Sequence, residues 1–220
     1  MGFGITFRVS GPYACFTRPE MKVERMSYDV ITPSAARGII EAVYWKPAIR
    51  WVIDKIHVLN EIEFTNIRRN EVSEKIPEST PRKIMGGSKE MFYISTNESR
   101  QQRAAMVLKN VDYIIQAHFE MVDGKAGPDD TPEKHYNMAV RRLRKGQYFN
   151  SPCLGTREFG AKVEFIEEGA YPKSSLSGTR DLGWMLYDLD FSDENDIKPK
   201  FFRAEMQEGI IDLTRVRMAG

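Results

Sequence analysis

"YDVITPSAARGIIEAVYWKP", Tyr28–Pro47, decides the fold. Thr32 has the short hydroxyl that caps a helix N-terminus, and Pro33 suits the first helical position. Ala36, Ile39, Ile40 and Val43 recur at helical spacing and form one apolar face. Pro47 disfavours helix at Lys46, so the helix ends near Tyr44 or Trp45. Upstream, "GITFRVSGPYACF" (Gly4–Phe16) alternates as a strand does. Downstream, "IRWVIDKIHVLNEIEF" (Ile49–Phe64) carries Trp51, Ile53, Ile56 and Val58 in a phase that slips once. One extra residue in a strand produces such a slip, which predicts a bulge near Asp54–Lys55. The first unit is therefore strand, helix, strand.

The chain then turns polar. "TNIRRNEVSEKIPESTPRKIMGGSKE" (65–90) opens a charged insertion over about residues 65–100, read as a loop or long hairpin and expected to be mobile without a ligand. "QQRAAMVLKNVDYIIQAHFEMV" (101–122) reads as two strands, and "DGKAGPDDTP" as a turn. Thr131 and Pro132 start a second helix, which ends in a basic turn, Arg141–Lys145, just before Gly146. "SPCLGTREFGAKVEFIEE" (151–168) is a glycine-punctuated loop running into a strand. The order matches the β-α-β-β-α-β ferredoxin-like, RRM-type pattern, an α+β fold spanning 1–168. Residues 169–220, with "GWMLYDLDF" and "KFFRAEMQEGIIDLTRV", predict a small C-terminal antiparallel β-sheet packed on the first domain.

Composition narrows the function classes. Hydrophobic residues make up 41% and charged residues 29% of the 220, an ordinary globular balance. No apolar run approaches the roughly 20 residues of a spanning helix, and no basic-then-apolar leader opens the chain. The two cysteines, Cys15 and Cys153, fit neither zinc spacing nor a disulfide framework, so a cytoplasmic location is expected. Net charge is +1, yet it is unevenly spread. Thr65 to Lys109 holds nine Lys/Arg against five Glu, whereas Arg180 to Lys198 holds six acids against two bases. A polyanion would meet the middle of the chain more readily than its end.

Candidate chemistry is sparse. Alternation through "YIIQAHFEMV" (Tyr113–Val122) puts His118 on a face with Ile114, Gln116 and Glu120, off the apolar face of Tyr113, Ile115, Ala117 and Phe119. A histidine there can move a proton near neutral pH. Tyr44 ends the first helix; its phenol needs cationic neighbours to act as a base. His57 reads as a packing residue and His135 as a solvated one. No cluster has metal-ligand spacing, and no metal or cofactor is expected. "CLGTREFG" (Cys153–Gly160), with Arg157, can present backbone N–H groups to phosphates.

"FRVSGPYACFTRPEMKVERMSYDVITPSAARGIIEAVYW" (7–45) and "NSPCLGTREFGAKVEF" (150–165) resemble the CRISPR-associated RAMP proteins, in particular the Cas-five family in its d subtype (type I-C, "Dvulg"). The resemblance covers almost the whole chain. It implies a metal-independent endoribonuclease that cuts precursor CRISPR RNA at the repeat hairpin. It also implies that the protein stays on the crRNA 5′ handle beside the backbone and large subunits of the type I-C interference complex. The family's catalytic set is a tyrosine after the first helix, then an adjacent lysine and histidine on a strand. Tyr44 and His118 match; the lysine's place is held by Ala117. Lys46, Arg37 or Lys22 are the cations available to replace it.

The expectation is that Tyr44 handles the ribose 2′-hydroxyl and His118 the leaving 5′-oxygen, giving a 2′,3′-cyclic phosphate. Arg68, Arg69, Arg82 and Lys83 of the insertion, Arg141, Arg142 and Arg144 of the second helix, and Arg25 and Arg157 would grip the RNA backbone. The alternative is a subunit that binds the 5′ handle without cutting.

Overall fold

The computed structural model describes residues 3–219 except 22, 90, 168, 191, 192, 194, 195 and 217, with backbone alone at 218 and 219. Helix α1 (Pro33–Val43) begins where the Thr32 hydroxyl accepts the Ala35 N–H at 3.2 Å. It buries Ala36, Ile39, Ile40 and Val43 and ends at Tyr44, whose backbone is extended. On either side lie strands β1 (Gly4–Ala14) and β2 (Ile49–Val58). The phase slip in β2 is a bulge between Ile53 and Lys55.

Beyond β2 come β3 (Glu63–Val72), a short helix α2 (Ser79–Met85), and β4 (Arg100–Met121). The insertion is thus a hairpin of β3 and β4 with α2 near its tip; α2 buries none of its residues. The two strands expected in 101–122 are one. Asn110 takes a positive φ of 51° partway along, but β1 pairs across that point, from Gly4↔His118 to Ala14↔Leu108, and holds both halves in one strand. The first half of β4 pairs with β3 and the second with β2.

Helix α3 (Pro132–Arg144) and strand β5 (Lys162–Ile166) complete the first unit. Four further strands follow: β6 (Thr179–Asp190), β7 (Lys198–Gln207), β8 (Ile210–Asp212) and β9 (Met218–Ala219). The sheet runs β5-β1-β4-β2-β8-β7-β6, with β3 on β4 and β9 on β7. The C-terminal strands are therefore not a detached sheet. Strand β8 hydrogen-bonds to β2 at Lys55–His57, just past the bulge. Leu182, Met185, Phe202, Met206 and Ile211 join the core built by α1 and the first strands. One sheet and one core cross the sequence boundary near residue 168.

Helices α1 and α3 contribute to that core from one side. Ile39, Ile40 and Val43 of α1 and Ala139 and Leu143 of α3 pack with Phe7, Trp51, Ile53, Ile115 and Phe119. Trp51 is its largest fully buried side chain, and its indole N–H donates to the Tyr44 carbonyl at 2.8 Å. Truncating it to alanine would cost about 3–5 kcal/mol. The opposite face is crossed by residues 169–178: the Gln116 amide donates to the Tyr171 hydroxyl, whose ring meets His57 edge-on, and Ser175 donates to the Leu59 carbonyl. No helix among the described residues is long and apolar enough to cross a membrane.

Candidate functional site

An open groove of about 1060 Å³ runs between the C-terminal half of α1 and residues 149–160, with Arg142 of α3 at its side. Local chemistry pins the second wall. The N–H groups of Phe149 and Asn150 both donate to the Ala42 carbonyl, at 2.8 and 3.2 Å. Cys15 N–H donates to the Leu154 carbonyl at 3.0 Å. Gly155 has φ +87°, and a Cβ there would lie 2.0 Å from the Cys15 carbonyl oxygen, so only glycine fits. The glycine-rich loop thus packs its backbone on β1. Exposed Trp45 and Phe149 line the groove and exposed Tyr148 adjoins it; Lys46, Arg142 and Arg157 supply positive charge.

Tyr44 forms part of the groove wall. Its hydroxyl lies 2.8 Å from Nδ1 of His135, and the Arg142 guanidinium sits 5.4 Å from the ring centre. Arg142 is held there by donating to the Val43 carbonyl at 2.8 Å. Only 2% of Tyr44 and 1% of His135 are exposed. Burial pushes the phenol pKa up, with Arg142 opposing, and pulls the imidazole pKa down, with Asp130 opposing. Both groups are neutral at pH 7.

His135 is thus not the solvated residue its helix position suggested. Helix α3 turns it inward with Ala139 and Leu143, and its ring packs edge-on to Phe119. The spacing 135, 139, 143 carried that signal, because residues four apart share a helix face.

His118 lies elsewhere. Its Nδ1 is 2.9 Å from both carboxylate oxygens of Asp54, the residue at the β2 bulge, and the two side chains are 29% and 28% exposed. Phe119 packs on His135 and Trp51, and neighbours along a strand point to opposite faces. Tyr44 and His118 therefore sit on opposite faces of the sheet, and the structure does not bring them together. Ala117, on the Tyr44 side, is buried between Ile5 and Ile53. Among the described residues, Arg142 is a cation placed over the Tyr44 ring. Arg37 is held at 2.7 Å by both Glu41 and Asp188, Lys46 lines the groove, and Lys22 lies outside the described residues.

The remaining cations divide by their partners. Arg25 and Arg69 converge on Glu158 and Glu71, where Arg103 joins them, so part of the basic middle is neutralised internally. The Arg69 hydrogen bond holds the Glu158 carboxyl below the usual carboxylate range. Arg144 pairs with Glu167 and stacks 4.8 Å over Phe165, and Arg82 pairs with Glu78. Arg68, Lys83, Arg141 and Arg157 are exposed. Among the described residues no three His, Cys, Asp or Glu side chains are grouped to hold a metal ion.

Comparison with known proteins supplies the kinship. The Cas5d family model, described as "CRISPR-associated protein (Cas_Cas5)", matches residues 4–214. A CRISPR pre-crRNA endoribonuclease Cas5d of Mannheimia succiniciproducens is 54% identical over 217 residues, covering 95% of this chain and 94% of that one. The protein of the same name from Thermus thermophilus is 39% identical, covering 94% and 89%. Among solved structures, one described as a CRISPR-associated protein superposes with a TM-score of 0.70 at 25% identity, covering 99% and 96%. A functionally uncharacterized protein from Streptococcus mutans shares the fold, with a TM-score of 0.69 at 24% identity, covering 99% and 97%. This chain belongs to the Cas5d family of CRISPR-associated proteins.

Proposed function

We propose that the protein is an endoribonuclease that cuts precursor CRISPR RNA at the repeat hairpin and then holds the crRNA 5′ handle within the type I-C interference complex in the cytoplasm. The observation that carries this reading is the hydrogen bond from the Tyr44 hydroxyl to a buried histidine, beside a groove that Tyr44 lines together with arginines and exposed aromatics. The relatives' names support the same activity. The strand order β5-β1-β4-β2, with α1 and α3 on one side, supports a ferredoxin-like, RRM-type core over 1–168. Residues 169–220 extend that core.

Single-stranded RNA needs stacking surfaces and phosphate charge. Trp45, Tyr148 and Phe149 offer faces to unpaired bases, worth about 1–3 kcal/mol each. Lys46, Arg142 and Arg157 line their phosphate path, with Arg68, Arg82, Lys83 and Arg141 as outlying contacts. Tyr44 would align and deprotonate the 2′-hydroxyl beside the scissile phosphate, leaving a 2′,3′-cyclic phosphate and a 5′-hydroxyl. The groove supplies proton acceptor and cation from side chains, so cleavage is proposed to be metal-independent. His118, paired with Asp54 across the sheet, serves the same phosphate only where the RNA wraps the sheet end at Ile49 and Met121.

The test is cleavage of the cognate repeat RNA in EDTA by the wild type, Tyr44→Phe and His118→Ala. Loss in Tyr44→Phe alone supports scission in the groove; loss in both supports RNA wrapped around the sheet end. Abolition by EDTA overturns the mechanism. Tight binding without any cut product, consistent with burial of Ala117 where the family has lysine, favours the non-catalytic handle-binding subunit.

A further inference from the structure

We propose that Arg25, Arg69 and Arg103 form a binding site for a backbone phosphate of the RNA, and that the Glu158 carboxylate occupies this site until the RNA displaces it. This rests on the reading of the adjoining groove as the RNA path. The sheet itself creates the demand for an anion. Arg69 of β3 and Arg103 of β4 are directly opposite each other in the register, and like charges so placed repel. Arg25 arrives beside β4, because the bridge between Met26 and Met106 lays residues 25–27 along that strand. All three guanidinium groups reach the Glu71 carboxylate, so they face one spot.

Their charge is met unevenly. Glu71 lies 3.7 Å from Arg25, 3.8 Å from Arg69 and 3.4 Å from Arg103, beyond the roughly 2.7–3.2 Å of a good N–H···O bond. The closer contacts belong to Glu158. One of its oxygens, Oε1, accepts from Arg69 and, at 3.3 Å, from Arg25. Arg69 Nε is buried without a hydrogen-bond partner, so the site keeps a donor unspent. A phosphodiester carries its charge on two free oxygens and suits forked guanidinium donors from more than one arginine.

Glu158 is placed to leave and the arginines to stay. Arg69 and Arg103 stand on paired strands, whereas Glu158 stands on the groove loop. That loop is seated by other contacts. Leu154 N–H donates to the Phe159 carbonyl at 2.7 Å, Phe159 N–H donates to the Thr156 carbonyl at 3.0 Å, and the Phe159 ring packs on Cys15, Ala105 and Val107. The Glu158 side chain is 39% exposed against 20% for Arg69. It can swing into solvent while the loop keeps its place. Arg157, the preceding residue, lines the groove. A strand leaving the groove past Arg157 meets Glu158 next, and its phosphate takes over the arginines. RNA entry then undoes the tie between groove loop and hairpin.

The experiment is a double-mutant cycle on RNA affinity. The full chain is titrated into repeat RNA carrying 2′-O-methyl groups, which prevent attack by the 2′-oxygen, at several salt concentrations. Glu158→Gln keeps the side chain's shape and removes its charge; it should tighten binding about fivefold. Arg103→Gln, which leaves the bond between Arg69 and Glu158 in place, should weaken binding about fivefold. It should also lower the slope of log affinity against log salt by about 0.7, the value of one single-strand phosphate contact. In an Arg69→Gln chain, Glu158→Gln should gain less than about twofold, because the two residues act at one site. An equal gain with and without Arg69 overturns the proposal, since Glu158 then only repels RNA from a distance. No gain in Glu158→Gln overturns it as well and marks a purely structural tie. Unchanged affinity in Arg142→Ala instead removes the groove as the RNA path, a distinct failure.

Discussion

The pocket around Tyr44 and the open sheet face around His118 each hold one histidine beside one aspartate. On the helix side, His135 is sealed from water, touches its aspartate only at 3.5 Å, and spends its hydrogen bond on a phenol. Across the sheet, His118 is partly exposed and meets both oxygens of Asp54 at 2.9 Å. The contrast teaches that a histidine's value to a reaction depends on what its second nitrogen is left free to do. Asp54 occupies the Nδ1 of His118 directly. Asp130 stands off at 3.5 Å from Nε2 of His135, and Nδ1 of that ring meets Tyr44.

The largest expected effect breaks the comparison most directly. Tyr44→Phe should lower repeat-RNA cleavage by about 100-fold or more with affinity retained, while His118→Ala changes the rate by less than about threefold. The reverse ranking, read by single-turnover kinetics, would move the chemistry to the open face. Next in size is Gly155→Ala. A side chain at φ +87° against the Cys15 carbonyl should cost about 3 kcal/mol. Calorimetry should show a Tm lower by roughly 6–12 °C. Hydrogen exchange should rise in the 149–160 wall but not around His118.

Arg142→Ala should follow, weakening RNA binding by about tenfold, since it removes one charged contact and the cation over Tyr44. The smallest effect concerns Glu158, which ties the groove loop to β3 through Arg69. Its folded pKa is depressed, so its contribution is complete above about 4.5, the unfolded value, and is lost as pH falls below that. Exchange in 153–160 should therefore rise on acidification below pH 4.5 in the wild type. Glu158→Gln should flatten that dependence.

What could be read from the chain was local. Thr32 and Pro33 declare the start of α1 because capping is settled within a few residues, and the bulge at Asp54 shows because alternation counts residues one at a time. The single strand β4 was hidden, since the Asn110 interruption is local while the pairing of β1 that overrides it spans over a hundred positions of sequence. The union of the C-terminal strands with the main sheet through β8 was hidden for the same reason. At the site, Tyr44 was legible as the residue closing an amphipathic helix, and Arg142 as part of a basic helix end, but not as each other's neighbours.

The sequence by itself determined the helices, their caps, the faces of the strands and the family to which the chain belongs, because periodicity and short-range sterics write these into adjacent residues. Only the tertiary structure decided which histidine Tyr44 meets. That depends on how α3 is rotated against β4 and how the chain after α1 descends to β2. Those choices are made by packing Trp51, Phe119 and Leu143 into one core, and packing joins residues that the sequence keeps apart.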